Sequence, residues 1–233
     1  MHTVIHRAEE RGVAEHGWLH SRFSFSFADW YNPERMGFGA LRVINDDSID
    51  PASGFGMHAH KDMEIITIVM EGAVTHQDSM GNRGTVEAGE VQVMSAGTGV
   101  VHAELNESGD TALKLFQLWI VPDRAGHAPR YAQSPIMRSP VGDTVLVGPI
   151  GTNAPLHIHQ DAWITHYGIA PKGAERVTLK HPDHGAYVLV VSGSAKFGDV
   201  TLGTRDAVGV RGVSSFDLAS QEGATLLVIE VPH

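Results

Sequence analysis

The residues that invite chemistry are histidines placed two apart. His58-Ala59-His60 is one such pair, and His102-Ala103-Glu104 sets a carboxylate beside a further imidazole at the same spacing. In a β-strand, residues i and i+2 point to one face. Two such strands lying side by side would bring three imidazoles and a carboxylate to a single point. That donor set suits a divalent first-row metal and leaves positions for water or substrate. The chain has no Cys, which removes thiolate ligands, thiol nucleophiles and disulfides. Iron, nickel, cobalt, manganese and copper are all admissible on these grounds. Glu64 shares strand parity with His58 and His60, so it competes with Glu104 as the carboxylate, and spacing leaves that choice open. A lone His-x-His is commonly a solvated strand face. Two pairs, each behind a Gly-rich turn, call for more, because four polar groups inside a barrel without a metal would stand unsatisfied.

Other candidates are weaker. His157-Ile158-His159 repeats the pattern, but it precedes the segment His181 to Tyr187 that best matches the first motif. That segment lacks His-x-His, and 208–216 contains no His, so no complete second site is expected. His2, His6, His16, His20, His76, His127, His166 and His233 read as surface or hydrogen-bonded structural residues. Phe23, Phe25 and Phe27 alternate with Ser24 and Ser26, as in a strand packing one face on the core. The functional alternative is an aromatic wall beside the metal, with Trp30 and Tyr31. Asn45-Asp46-Asp47 reads as a turn.

The elements that must position these residues are strands. Gly (26) and Pro (11) punctuate short runs rich in Val, Ile, Leu and aromatics at 40–44, 64–70, 90–94, 113–121, 162–169, 186–191 and 225–231. This is the pattern of an all-β sandwich or barrel. No long segment has a 3.6-residue period, although short helical turns fit 28–34 and 123–128. The stretch 122–142 holds four Pro and reads as a linker. The strand–Gly–strand pattern at 66–74 returns at 188–197, which suggests two similar β-barrel halves, 1–130 and 131–233.

Lys plus Arg number 17 against 27 Asp plus Glu, a net charge of −10. A polyanionic nucleic acid or a polybasic membrane contact is therefore not expected. The first residues show no apolar signal core, and no apolar run approaches the ~20 residues of a membrane span. A cytoplasmic protein is the expectation.

These residues resemble the cupins, and more closely their pirin branch. The first cupin motif is matched by His58-x-His60-x3-Glu64 with Gly72, one residue longer than the general spacing. The second is matched by Gly97-x-Gly99-x2-His102-x3-Asn106, with Gly97 where Pro is usual. Pirin-like marks are the run from Phe23 to Phe27, Arg42-Val43-Ile44-Asn45-Asp46-Asp47, His76-Gln77-Asp78-Ser79 and the run from Met94 to Glu104. The resemblance implies a bicupin of two packed antiparallel jelly-roll barrels, with a metal-binding N-terminal domain and a C-terminal domain lacking a complete site. It implies His58, His60, His102 and Glu104 as ligands, and leaves Glu64 a supporting or structural role. It implies iron(II) foremost as the metal, with nickel, cobalt, manganese or copper possible and zinc in isolated protein. The implied activity is that of a quercetin 2,3-dioxygenase, opening the heterocycle of flavonols with dioxygen, with Glu104 also acting as the base. The implied partners are a phenolic small molecule and dioxygen, and the implied state a monomer. The alternative is a regulatory pirin module that binds metal and protein partners without turnover. A sugar-phosphate isomerase is disfavoured, because Lys61 is the lone cation in the first motif.

Overall fold

The strand Glu64–Glu71 shows how this chain folds. Ile65, Ile66, Ile68 and Val69 are all buried, so both faces of the strand are covered. Ile66 and Ile68 join the large core between the two halves of the molecule, whereas Val69 joins a separate core inside the first half. The strand thus lies in the middle layer of a stack, which explains its nearly continuous apolar run.

The computed structural model describes residues 1–136 and 138–233. Apart from a three-residue 3-10 turn, Ala8–Glu10, the regular elements among these residues are strands. They form two seven-stranded and two four-stranded sheets. In the first half the large sheet runs in the order Arg130–Pro135, Glu90–Ser95, Glu64–Glu71, Leu113–Ile120, Leu41–Ile49, Leu19–Phe23, Gly12–Glu15. Its partner sheet runs Ser53–His60, Val100–Asn106, Ala73–Asp78, Arg83–Glu87. The second half repeats the arrangement, with Trp163–Ile169, His184–Gly193 and Ala224–Pro232 in its large sheet. The all-β, two-unit expectation holds, with one refinement: the sheets are open and face each other rather than closing into barrels. Phe116, Leu118 and Ile66 of one half share a core with Leu146, Ile164, Leu189 and Leu227 of the other. Tyr187 is fully buried there against Phe25 and Phe38.

Strand exchange ties the halves together. His2–His6 pairs with Ala207–Arg211, so the first residues complete the second half's sheet. Within 122–142, Arg130–Pro135 pairs antiparallel with Glu90–Ser95, so that stretch supplies an edge strand to the first half. Three local expectations fail. Asn45, Asp46 and Asp47 form no turn but lie inside the strand Leu41–Ile49, where flanking Ile44 and Ile49 anchor both faces. The strand Leu19–Phe23 ends before Ser24, so Phe25 and Phe27 leave on a loop, and neither 28–34 nor 123–128 is helical.

Candidate metal centre

Ser53–His60 and Val100–Asn106 are adjacent and antiparallel, with His102 directly opposite His58 and Val100 opposite His60. The register shifts between His102 and Glu104, where Glu104 faces Phe55. The extra residue on the first strand is a bulge, a device that re-aims side chains. The three rings converge: centroids are 4.4 Å apart for His58 and His102, 4.8 Å for His58 and His60, and 5.0 Å for His60 and His102. Donor nitrogens of all three fall within 4.8 Å of one another. His58 Nδ1 sits 2.7 Å from the Gly56 carbonyl, which can only accept, so Nδ1 carries the proton and Nε2 keeps a free lone pair. His102 is buried, and neither ring nitrogen has a hydrogen-bond partner. Burial, with His58, His60 and His76 around it, pulls its pKa down to about 3. Burial and the neighbouring His58 pull His60 down to about 4. Neutral, unpartnered imidazoles are what a cation needs, so the donor set fits a divalent transition metal.

Glu104 crosses from this sheet to the large one opposite. Its Oε1 accepts from Thr67 Oγ1 (3.1 Å) and Gln92 Nε2 (2.6 Å), and its Oε2 from Gln117 Nε2 (2.6 Å). The amides are oriented from behind: Tyr131 donates to the Gln92 carbonyl at 3.0 Å, and Trp119 Nε1 to the Gln117 carbonyl at 3.1 Å. Gln92, Thr67, Gln117 and Asn45 occupy one register row across four neighbouring strands. Glu104 forms a second group of possible donors with His76 and His102, so His102 belongs to both. His76 is fully buried, stacks on Tyr131 at 4.1 Å, lies 3.0 Å from Asp78 through Nε2, and has no partner at Nδ1.

Glu64 goes elsewhere. The chain turns at Asp62, whose φ is +48°, so the strand carrying His58 and His60 ends before Glu64 starts a strand in the opposite sheet. Shared parity therefore does not apply. Glu64 is buried and accepts from the Ser95 hydroxyl at 2.6 Å, and burial pushes its carboxyl above the usual range. The second His-x-His is occupied by other contacts: His157 Nε2 donates to the Thr152 carbonyl, and His159 stacks on His127 at 3.8 Å.

A cavity of about 150 Å³ opens on the histidines, lined also by Phe27, Asn45, Asp47, Phe55, Glu104, Gln117 and Trp119. A cleft of about 310 Å³ shares Phe27 and Trp119 with it and continues past Trp30, Tyr31 and Arg42. Trp119 stands edge-on to His60 at 4.9 Å and to Phe27 at 5.3 Å.

This arrangement has close counterparts. The sequence profile of the family described as Pirin matches residues 5–120, and that of the "Quercetinase C-terminal cupin domain" matches 145–231. The quercetin 2,3-dioxygenase of Escherichia coli K12 is 40% identical over 228 residues, covering 98% of each chain. The chain belongs to the pirin family. A pirin-like protein of Caulobacter vibrioides is 40% identical over 95% of this chain and 96% of its own. The crystal structure of the E. coli bacterial pirin YhhW in complex with nickel(II) superposes with a TM-score of 0.94 at 38% identity, covering 99% of each chain. No helix among the described residues is long and apolar enough to cross a membrane.

Within this pirin fold, the structure adds residues that spacing did not flag. Thr67, Gln92 and Gln117 are single polar residues in apolar strand runs, and that interruption was the available signal. Asn45 and Asp47 were hidden by their turn-like composition. Of the three phenylalanines, Phe27 lines the cavity, whereas Phe25 is buried in the core between the halves.

Proposed function

We propose that this pirin holds one divalent transition metal through His58, His60, His102 and Glu104 and opens the heterocycle of flavonols such as quercetin with dioxygen. The observation that carries the reading is the buried His102, with no partner for either nitrogen, converging with His58 and His60, which line an aromatic-walled cavity. When bound, the ion supplies a Lewis acid that lowers a substrate hydroxyl's pKa and a redox-capable centre for dioxygen. The names of the relatives support the substrate class, and the nickel complex of the bacterial pirin supports metal binding. Iron(II), nickel, cobalt, manganese and copper all suit nitrogen and oxygen donors.

The chain's own residues do the rest. Phe27, Phe55 and Trp119 give a flat aromatic ligand apolar faces and keep water away from it. Glu104 receives the proton of the flavonol 3-hydroxyl. Thr67, Gln92 and Gln117 keep its carboxylate at one position while it does so. Glu64, held by Ser95, takes no part in that transfer.

The test loads purified protein with each metal in turn and follows flavonol absorbance and oxygen uptake together. Glu104→Gln should lose ~10²–10⁴-fold in rate, with metal content measured alongside, and Glu64→Gln far less. Neither absorbance decay nor oxygen uptake with any of the five metals would overturn the dioxygenase reading in favour of a regulatory module.

A further inference from the structure

The polar row on the large sheet has one member without a partner. Gln92, Thr67 and Gln117 all donate to Glu104, but Asn45, next in the row after Gln117, makes no side-chain hydrogen bond among the described residues. Its side chain is nine-tenths or more buried, and its Oδ1 stands without a partner. An amide left unpaired in such a place is costly, and native proteins seldom retain one without use. Two residues along the same strand, on the same face, Asp47 is equally buried. One of its oxygens accepts from the Ser21 hydroxyl, while the other has no hydrogen-bond partner among the described residues. Both residues line the cavity that opens on the histidines, and they reach it from the opposite sheet.

We propose that Asn45 and Asp47 form a hydroxyl-recognition site on the wall facing the histidines, which selects polyhydroxylated aromatic substrates over those carrying a single chelating hydroxyl. A ligand that enters between the sheets and binds through its hydroxyl–ketone edge at the histidine wall presents its other ring positions to the large sheet. Hydroxyls there meet the Asn45 amide and the one Asp47 oxygen that has no hydrogen-bond partner among the described residues. An unsubstituted ring leaves the Asn45 amide and the second Asp47 oxygen without a partner, and that penalty gives polar recognition its discrimination. The next strand supplies no competing partner, because Gln117 is already shared between Glu104 and Trp119. This site rests on the flavonol reading of the cavity and adds to it a rule for which flavonols bind.

The experiment titrates nickel-loaded full-length protein, without oxygen, with quercetin and with 3-hydroxyflavone, which share a skeleton and chelating edge but differ in the other hydroxyls. Binding is read from the shift of the flavonol absorbance band, and metal content is measured for each variant. Wild type should prefer quercetin by roughly tenfold or more, the scale of one lost buried hydrogen bond. Asn45→Leu and Asp47→Leu should keep their metal and lose that preference, the loss falling on quercetin and not on 3-hydroxyflavone. If wild type binds both flavonols equally, the recognition site is overturned while the flavonol reading stands. A preference that survives in a metal-loaded Asn45→Leu protein also overturns it. Wild type that binds neither compound removes the flavonol reading and this site with it. Should one leucine variant fail to fold, the other carries the test, and equal binding by wild type overturns the site without either.

Discussion

Gln117 Nε2 lies 2.6 Å from Glu104 Oε2, and this hydrogen bond spans the two sheets of the first half. Thr67 and Gln92 reach the same carboxylate from neighbouring strands, so three donors from the large sheet position one acceptor from the small one. Gln117→Leu would remove one donor and strand the Trp119 indole N–H. We expect a loss of about 1–3 kcal/mol in urea unfolding. Metal affinity should also fall by roughly 10–100-fold, the usual consequence of loosening a ligand's support. An unchanged affinity would show that Glu104 needs no such positioning.

The two His-x-His pairs should behave differently. Replacing His58 and His60 by Ala should leave less than a tenth of the wild-type metal by elemental analysis, whereas replacing His157 and His159 should leave it intact. Acid should act through the same residues. The folded pKa values of His60 and His102, about 4 and about 3, lie below the free value of 6.5. The unfolded chain therefore binds protons first, and stability of the metal-free protein should fall as pH drops from about 6.5 toward 3. Double replacement by Ala of His60 and His102 should flatten that slope in thermal melts.

Asp47 should show the opposite sign. Burial, with the charges of Asp46 and Glu104 added, pushes its pKa up to about 7, against the Ser21 hydrogen bond. A raised carboxyl favours folding at low pH and loses that contribution as pH climbs from about 4 through 7. Asp47→Asn should match wild type in thermal melts near pH 4 and exceed it near pH 8. A variant less stable than wild type at pH 8 would contradict this account.

Gly97 should tolerate no side chain. Its φ is +48°, and a Cβ there would lie 2.2 Å from the His127 carbonyl oxygen. The same torsion rules out the Pro usual at this motif position, since Pro holds φ near −65°. Gly97→Ala should cost at least ~1–3 kcal/mol. It should also lower metal occupancy, because the turn leads directly into the strand carrying His102.

Much of this was legible in one dimension. Strand periodicity and Gly/Pro punctuation suffice for an all-β chain of two similar halves, since a period of two and tight turns are local properties. The i, i+2 spacing of His58 with His60 and of His102 with Glu104 suffices to propose that each pair shares a face, for the same reason. What spacing could not supply is everything that depends on which strands become neighbours. Glu64 keeps the parity of His58 and His60 on paper, but the turn at Asp62 sends it to the opposite sheet and to Ser95. Asn45 and Asp47 have turn-forming side chains, yet the apolar residues flanking them hold the segment in a strand and bring them into the cavity. His76, Gln92, Thr67 and Gln117 are scattered over more than forty positions. Only cross-strand register and the packing of one sheet on another gather them around His102 and Glu104. Local pattern determined which residues share a strand face; tertiary pairing decided which faces meet.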